Sequence, residues 1–195
     1  MSEFRTRQRL SREARYTQLI EVAWQIIREE GTEALTLGRL AERAGVTKPV
    51  VYDHFTSRSG LLAALYREYE QRQNIKMDEA IAQTTPALAP LAAVIAEAYI
   101  ECVLLQGREM PNVMAALTGT PELEKLRQDY AVEFIAKCRA LFTPFRAHAA
   151  LRDAALWAMF GAAEGLSWAV TLGAIDATQA KAELREAIVA MVQRD

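Results

Sequence analysis

Ala41, Gly45 and Val51 stand in a small-x3-Gly-x5-aliphatic spacing. Those residue types at that spacing suit two short helices that cross closely. A small residue lets the axes approach, a glycine takes the positive φ of a tight turn, and an aliphatic residue packs the second helix onto the first. The chemistry of such a unit is hydrogen bonding rather than covalent catalysis, because its second helix can enter a DNA major groove and meet base edges. The rest of the sequence offers little to a catalyst. It has two histidines, His54 and His148, and two cysteines, Cys102 and Cys138, with no CxxC pair. It contains no Gly-rich phosphate loop, no metal-spaced His/Glu cluster and no Ser-His-Asp candidate. Neither a cofactor nor a metal is expected, and the distant cysteines suit a reducing cytoplasm.

The elements that must position these residues read as all-α. Alanine supplies 35 of 195 residues, and the β-branched period-two runs of strands are missing. From Arg12 to Glu30 the apolar set Leu19, Val22, Ala23, Ile26 and Ile27 recurs at helical spacing, and Gly31 closes the run. A short second helix starts after Thr36, an N-cap, and buries Leu37, Leu40, Ala41 and Ala44 before Gly45. A third begins at Thr47 with Pro49 in its first turn, where a missing N–H costs nothing, and ends near His54 and Phe55. Ser57 caps a long fourth helix that runs to about Gln83. Pro86 and Pro90 mark a break, followed by helices at about Leu91–Leu105, Pro121–Phe142, Leu151–Leu172 and Ala177–Gln193. A short irregular or helical piece lies around Met110–Leu117. The expected organisation is a three-helix head with an N-terminal arm over residues 1–60, and a helical-bundle body over 61–195.

The run Leu35-Thr36-Leu37-Gly38-Arg39-Leu40-Ala41-Glu42-Arg43-Ala44-Gly45-Val46-Thr47-Lys48-Pro49-Val50-Val51-Tyr52-Asp53-His54-Phe55-Thr56-Ser57-Arg58 resembles the DNA-binding head of the TetR family of bacterial repressors. The Leu-Thr opening, the Ala-Gly-Val turn, the Tyr-x-His-Phe ending and the basic residue before the fourth helix carry the resemblance. It covers roughly residues 12–66; the remainder matches in length and all-α character. It implies a homodimeric, sequence-specific regulator of transcription, a repressor released from double-stranded operator DNA by a small molecule.

By the same resemblance Thr36, Thr47, Lys48, Pro49, Val50, Tyr52 and His54 face DNA. Thr36 would hydrogen-bond a phosphate beside free backbone N–H groups. Lys48 would donate to guanine O6/N7 or meet a phosphate, and Pro49 and Val50 would touch a thymine methyl. Tyr52 and His54 would contact the backbone, and Arg58 would clamp a phosphate at the start of the fourth helix. Two residues depart from the family's pattern. Gly38 stands where some members carry a base-reading arginine, so readout from the second helix either shifts to Arg39 or vanishes. Asp53 puts a carboxylate on a helix meant to approach phosphates; it either accepts from cytosine N4 or points to solvent. Upstream, Arg5, Arg7, Arg9, Arg12 and Arg15 form an arm that is either a solvated tail or lies along phosphates.

A single helix-turn-helix contacts too few bases for selectivity, so a dimer is expected. In Leu151–Leu172, Gly161 and Gly165 with Ala158, Ala162 and Ala169 form a small-residue stripe for close helix approach. Leu184 and Ile188, on the last helix, extend this dimer face; the alternative is packing within the subunit. Tyr99, Cys102, Val103, Met110, Met114, Phe134, Trp157, Phe160 and Trp168 supply aromatic and thioether surface for a largely apolar effector, or simply for the core. Glu164, like Glu97 and Glu101, is a carboxylate on an otherwise apolar face that meets a cationic ligand, pairs with an arginine or reaches solvent.

The formal net charge is -2, which excludes a protein coated in positive charge. Residues 1–60 nonetheless hold 10 Lys+Arg against 8 Asp+Glu, while 61–195 hold 13 against 17. Positive charge is therefore concentrated at one end. The N-terminus runs into charge rather than an apolar signal core. Between Ala154 and Ile175 only Glu164 is charged, but alanine, glycine and that central carboxylate, costing about 3 kcal/mol in a bilayer, favour a buried helix of a soluble protein. Two other readings are an all-α carrier or enzyme using the apolar pocket, and a DNA-binding protein that does not repress.

Overall fold

The computed structural model describes residues 10–104, 109–146 and 150–194. Regular structure among them is helical: α1 (Arg12–Glu30), α2 (Leu37–Ala44), α3 (Lys48–His54), α4 (Arg58–Ala82), α5 (Leu88–Leu104), α6 (Glu109–Leu117), α7 (Pro121–Phe142), α8 (Asp153–Thr171) and α9 (Ala177–Gln193). No helix among these residues is long and apolar enough to cross a membrane.

Local chemistry sets the boundaries. Ser11 caps α1 by accepting from the Ala14 N–H at 3.1 Å, and Thr36 caps α2 by accepting from the Arg39 N–H at 3.0 Å. Gly45 ends α2 at φ 64, in the left-handed region, with its N–H bonded back into the helix. Ser57 accepts from the Gly60 N–H at 3.0 Å at the start of α4. Asp176 and Gln179 form a reciprocal capping box on α9. The piece around Met110 is a regular helix, α6, rather than an irregular turn. α5 starts before the expected Leu91 because Pro90 falls in its first turn, where no helical N–H bond is lost.

The chain divides into two compact units. Among described residues the first holds 10–66 and 109–122, and the second holds 67–104, 123–146 and 150–194. Thus α4 begins in one unit and ends in the other, and α6 belongs with the head although it follows it distantly in sequence. Leu19, Ile26, Leu35, Leu40, Val51, Leu61 and Leu65 are fully buried in the first unit; each such side chain contributes about 1.5–3 kcal/mol on burial. α6 packs against the 3-10 turn Thr32–Ala34. In the second unit α9 packs against both α5 and α8. Its core includes Ile95, Ile100, Cys138, Phe142, Leu156, Leu184 and Ile188.

Candidate nucleic-acid interface

The unit of α2, the Gly45 turn and α3 is held from below. Leu40, Ala41, Val51 and Phe55 are buried, which fixes one side of α3 against the head. Its other side is open: Lys48, Pro49, Tyr52 and Asp53 are exposed, while Val50 and His54 are half-buried. Tyr52 leaves 53% of its surface in solvent, so its ring has no core function. Thr36 and Thr47 are also exposed at the helix starts. The Thr36 oxygen is used as an acceptor by the cap, yet its hydroxyl proton stays available to a phosphate. The Lys48 Cε lies 3.7 Å from where a Cβ on Gly38 would stand. Lys48 therefore lies across the first turn of α2, over the position that carries no side chain.

Two residues considered for DNA contact, Arg39 and Arg58, bond within the first unit while about a third of each side chain stays exposed. Arg39 donates from Nε and Nη2 to the two Glu30 carboxylate oxygens at 3.0 and 2.9 Å, and from Nη1 to Glu42 at 2.8 Å. The neighbouring Arg43 pairs with Glu29 and Glu30, both at 2.6 Å. These bonds hold the Glu30 carboxyl below its ordinary value, the Arg39 hydrogen bond first among causes. Arg39 thus clips α2 to α1. Arg58 donates to the carbonyl oxygens of Leu35 at 2.9 Å and Thr32 at 2.8 Å, with Glu33 3.5 Å away. These bonds fasten the turn before α2. Arg58→Ala is expected to cost about 2 kcal/mol, several degrees of Tm, because two buried carbonyls lose a charged donor. Weakened DNA binding at an unchanged Tm would return Arg58 to the phosphate.

His54 sits against the rings of Tyr16 and Phe55, each centroid 6.1 Å away. Burial, reinforced by Arg12 and Arg15 and opposed by Asp53, holds its pKa below the ordinary 6.5. At neutral pH the imidazole is therefore neutral and can donate one hydrogen bond to a phosphate, not a charge. Arg12 reaches the Asp53 carbonyl oxygen at 3.5 Å, and Arg15 bonds Gln18. Arg5, Arg7 and Arg9 lie outside the described residues.

In the second unit the rings of Tyr99, Phe134, Phe160 and Trp157 form one group, with centroids 5.1–6.3 Å apart. Val103 and Cys102 lie further along α5. Met110 and Met114 belong to the first unit and are not part of this group. Glu164 lies 3.6 Å from Arg127, and Glu101 and Glu97 meet Lys181 at 2.7 and 3.5 Å. Each carboxylate is thus paired with a cation of its own unit. Cys102 and Cys138 have thiols pushed up to about 12 by burial, which leaves them protonated and unreactive. A cavity of about 270 Å³ is lined by Gln73, Lys76, Met77, Val94, Glu97 and Cys102 among others. Of the residues considered for an effector it contains Cys102 and the carboxylates Glu97 and Glu101. Glu97 and Glu101 stand out in the sequence as carboxylates on an apolar face, whereas Gln73, Lys76 and Met77 on α4 carry no signal that would bring them to the same cavity. His148 lies outside the described residues.

The α8 stripe divides from its expected extension on α9. Ala158, Gly161 and Gly165 are exposed, and Ala162 and Ala169 half-buried. A Cβ built on either glycine meets no atom within 4 Å, so packing within the chain does not require small residues there. Trp168 and Leu172 are 65% and 63% exposed on the same helix, with Trp157 half exposed. Leu184 and Ile188, by contrast, are 1% and 0% exposed and lie in the unit's own core. They cannot face a partner, because α9 spends its apolar stripe on α5 and α8.

Residues 19–65 match the family of bacterial regulatory proteins, tetR family. The chain is similar to the HTH-type transcriptional activator FasR of Mycolicibacterium smegmatis, 32% identical over 95 residues, 49% of this chain and 43% of that protein. It spans less than half the length of that relative. Among solved structures it is similar to a transcriptional regulator of the TetR/AcrR family from Thermobifida fusca, with TM-score 0.65, 22% identity and coverage of 90% and 96% of the two chains. It is also similar to the multidrug binding protein EbrR complexed with ethidium, at TM-score 0.64 and 19% identity over 89% and 97%. Likeness at such identities speaks for the fold.

Proposed function

We propose that the chain, whose residues 19–65 match the family of bacterial regulatory proteins, tetR family, is a cytoplasmic transcriptional regulator which binds operator DNA as a homodimer. The observation that carries this reading is α3, anchored by Val51 and exposing Lys48, Pro49 and Tyr52 beside the uncovered first turn of α2. Such a face fits a major groove, with Thr36, Thr47 and neutral His54 meeting phosphates at its edges. The exposed α8 stripe supports the dimer, which would double the number of bases read. The protein acts without catalysis or cofactor.

Its regulation is release by a largely apolar small molecule. EbrR is described as a multidrug binding protein in complex with ethidium, and the aromatic group around Tyr99 and Phe160 supports a similar class of ligand here. Release requires that the ligand prefer a conformation whose recognition helices no longer match the operator. α4 is the covalent link through which such a preference can travel, since it starts at Arg58 in the head and ends in the other unit.

Selection of bound duplexes from a randomised library tests the reading. The full chain is expected to enrich a two-fold-symmetric site with half-sites spaced by about one helical turn or more. Salt-dependent binding without any enriched sequence would overturn it in favour of nonspecific DNA coating.

A further inference from the structure

Asp53 is the acidic residue of α3. Val51 is fully buried and marks the side of α3 fixed to the head. At about 100° per residue, Pro49 and Asp53 each lie about 160° round from Val51 and so straddle the line pointing straight away from the core. Lys48 and Tyr52 occupy one flank of that ridge; Val50 and His54 occupy the other. Pro49 can make only apolar contacts. The Asp53 carboxylate is therefore the hydrogen-bonding group on the outermost ridge of the helix. Arg12 approaches its backbone oxygen rather than its side chain, and no ion pair or hydrogen bond engages the carboxylate among the described residues.

A carboxylate placed there loses water and faces phosphates on both sides of a groove, and both effects oppose binding. They are offset only where DNA presents a donor. The major-groove edges of guanine and thymine present acceptors, and adenine places its N7 acceptor beside its amino group. Cytosine alone presents the N4 amino donor without an adjacent acceptor. Resting on the DNA-binding reading above, we infer that Asp53 determines specificity at one operator position by accepting a hydrogen bond from cytosine N4.

Duplex selection with the full-length wild type, Asp53→Ala and Asp53→Asn tests this. The wild type is expected to fix one cytosine in each half-site, and replacing that C·G pair to weaken binding about tenfold or more. Asp53→Ala should accept all four base pairs there within about threefold, with the rest of the consensus intact. Asp53→Asn should move the preference to adenine, whose N6 and N7 suit an amide. An unchanged cytosine in the Asp53→Ala consensus, or equally stronger binding of that variant to every duplex, would overturn the assignment. So would a wild-type consensus with no fixed cytosine, which leaves the regulator reading standing. No wild-type consensus at all removes both.

Discussion

Lys48→Ala is expected to weaken operator binding about ten- to a hundredfold while dimer mass and Tm stay at wild-type values. The size follows from the loss of one groove or phosphate contact worth about 1–3 kcal/mol. The selectivity follows from the head's internal bookkeeping of charge. Arg39 and Arg43 are paired with carboxylates, so Lys48 is the cation of α2 and α3 left to donate outward among the described residues. It is exposed, and its stem touches little beyond the space above Gly38. Tyr52→Ala should lose a comparable amount, since more than half of the residue's surface is open to a partner. Titration of both variants against the selected duplex at several salt concentrations checks the prediction. A salt slope reduced by about one for Lys48→Ala assigns it to a phosphate; a relaxed consensus at a guanine assigns it to a base. Unchanged affinity for both variants sinks the placement of α3 in the groove.

These outcomes turn on what a one-dimensional reading of the chain carries. Thr36, Gly45, Pro49 and Ser57 declare the head because capping, positive φ and a missing N–H are properties of single residues acting within one turn. α7 and α9 were legible at their boundaries for the same reason. Partnership across elements was not. Arg39 and Arg58 show a positive charge in sequence, but nothing there says that Glu30, on another helix, or two carbonyls before α2 will claim it. The resemblance puts Arg58 on a phosphate and leaves base readout by Arg39 open; the geometry adds bonds within the head for both, with about a third of each side chain still exposed. An apolar stripe likewise states that it will be covered and not by what. Leu184 and Ile188 are covered within their own unit, whereas Gly161, Gly165 and Trp168 are not. Met110 and Met114 show the same limit, since only tertiary contact assigns α6 to the head.

Trp168→Glu and Gly165→Leu are each expected to convert the dimer to a monomer and to lower operator affinity by more than about a hundredfold, because one half-site then binds without the other. Trp168 and Leu172, four residues apart, are both mostly exposed, which puts two large apolar side chains beside the stripe. In a two-fold interface each residue counts twice, and each large side chain buried there contributes about 1.5–3 kcal/mol. A carboxylate at position 168 replaces that gain with a desolvation cost. Gly165→Leu separates an interface from a merely exposed face. A side chain there enters open space in the single chain, and replacing a mid-helix glycine should raise the stability of the monomer by about 0.5–1 kcal/mol. The same side chain would hold two α8 helices apart. Light scattering at a concentration where the wild type is dimeric should show the mass halved, and thermal unfolding at a dilution where both chains are monomeric should show the variant melting higher. Wild-type mass in both variants would put the dimer contact on another face, and a Gly165→Leu chain that melts below the equally dilute, monomeric wild type would mean that the glycine serves packing within the chain.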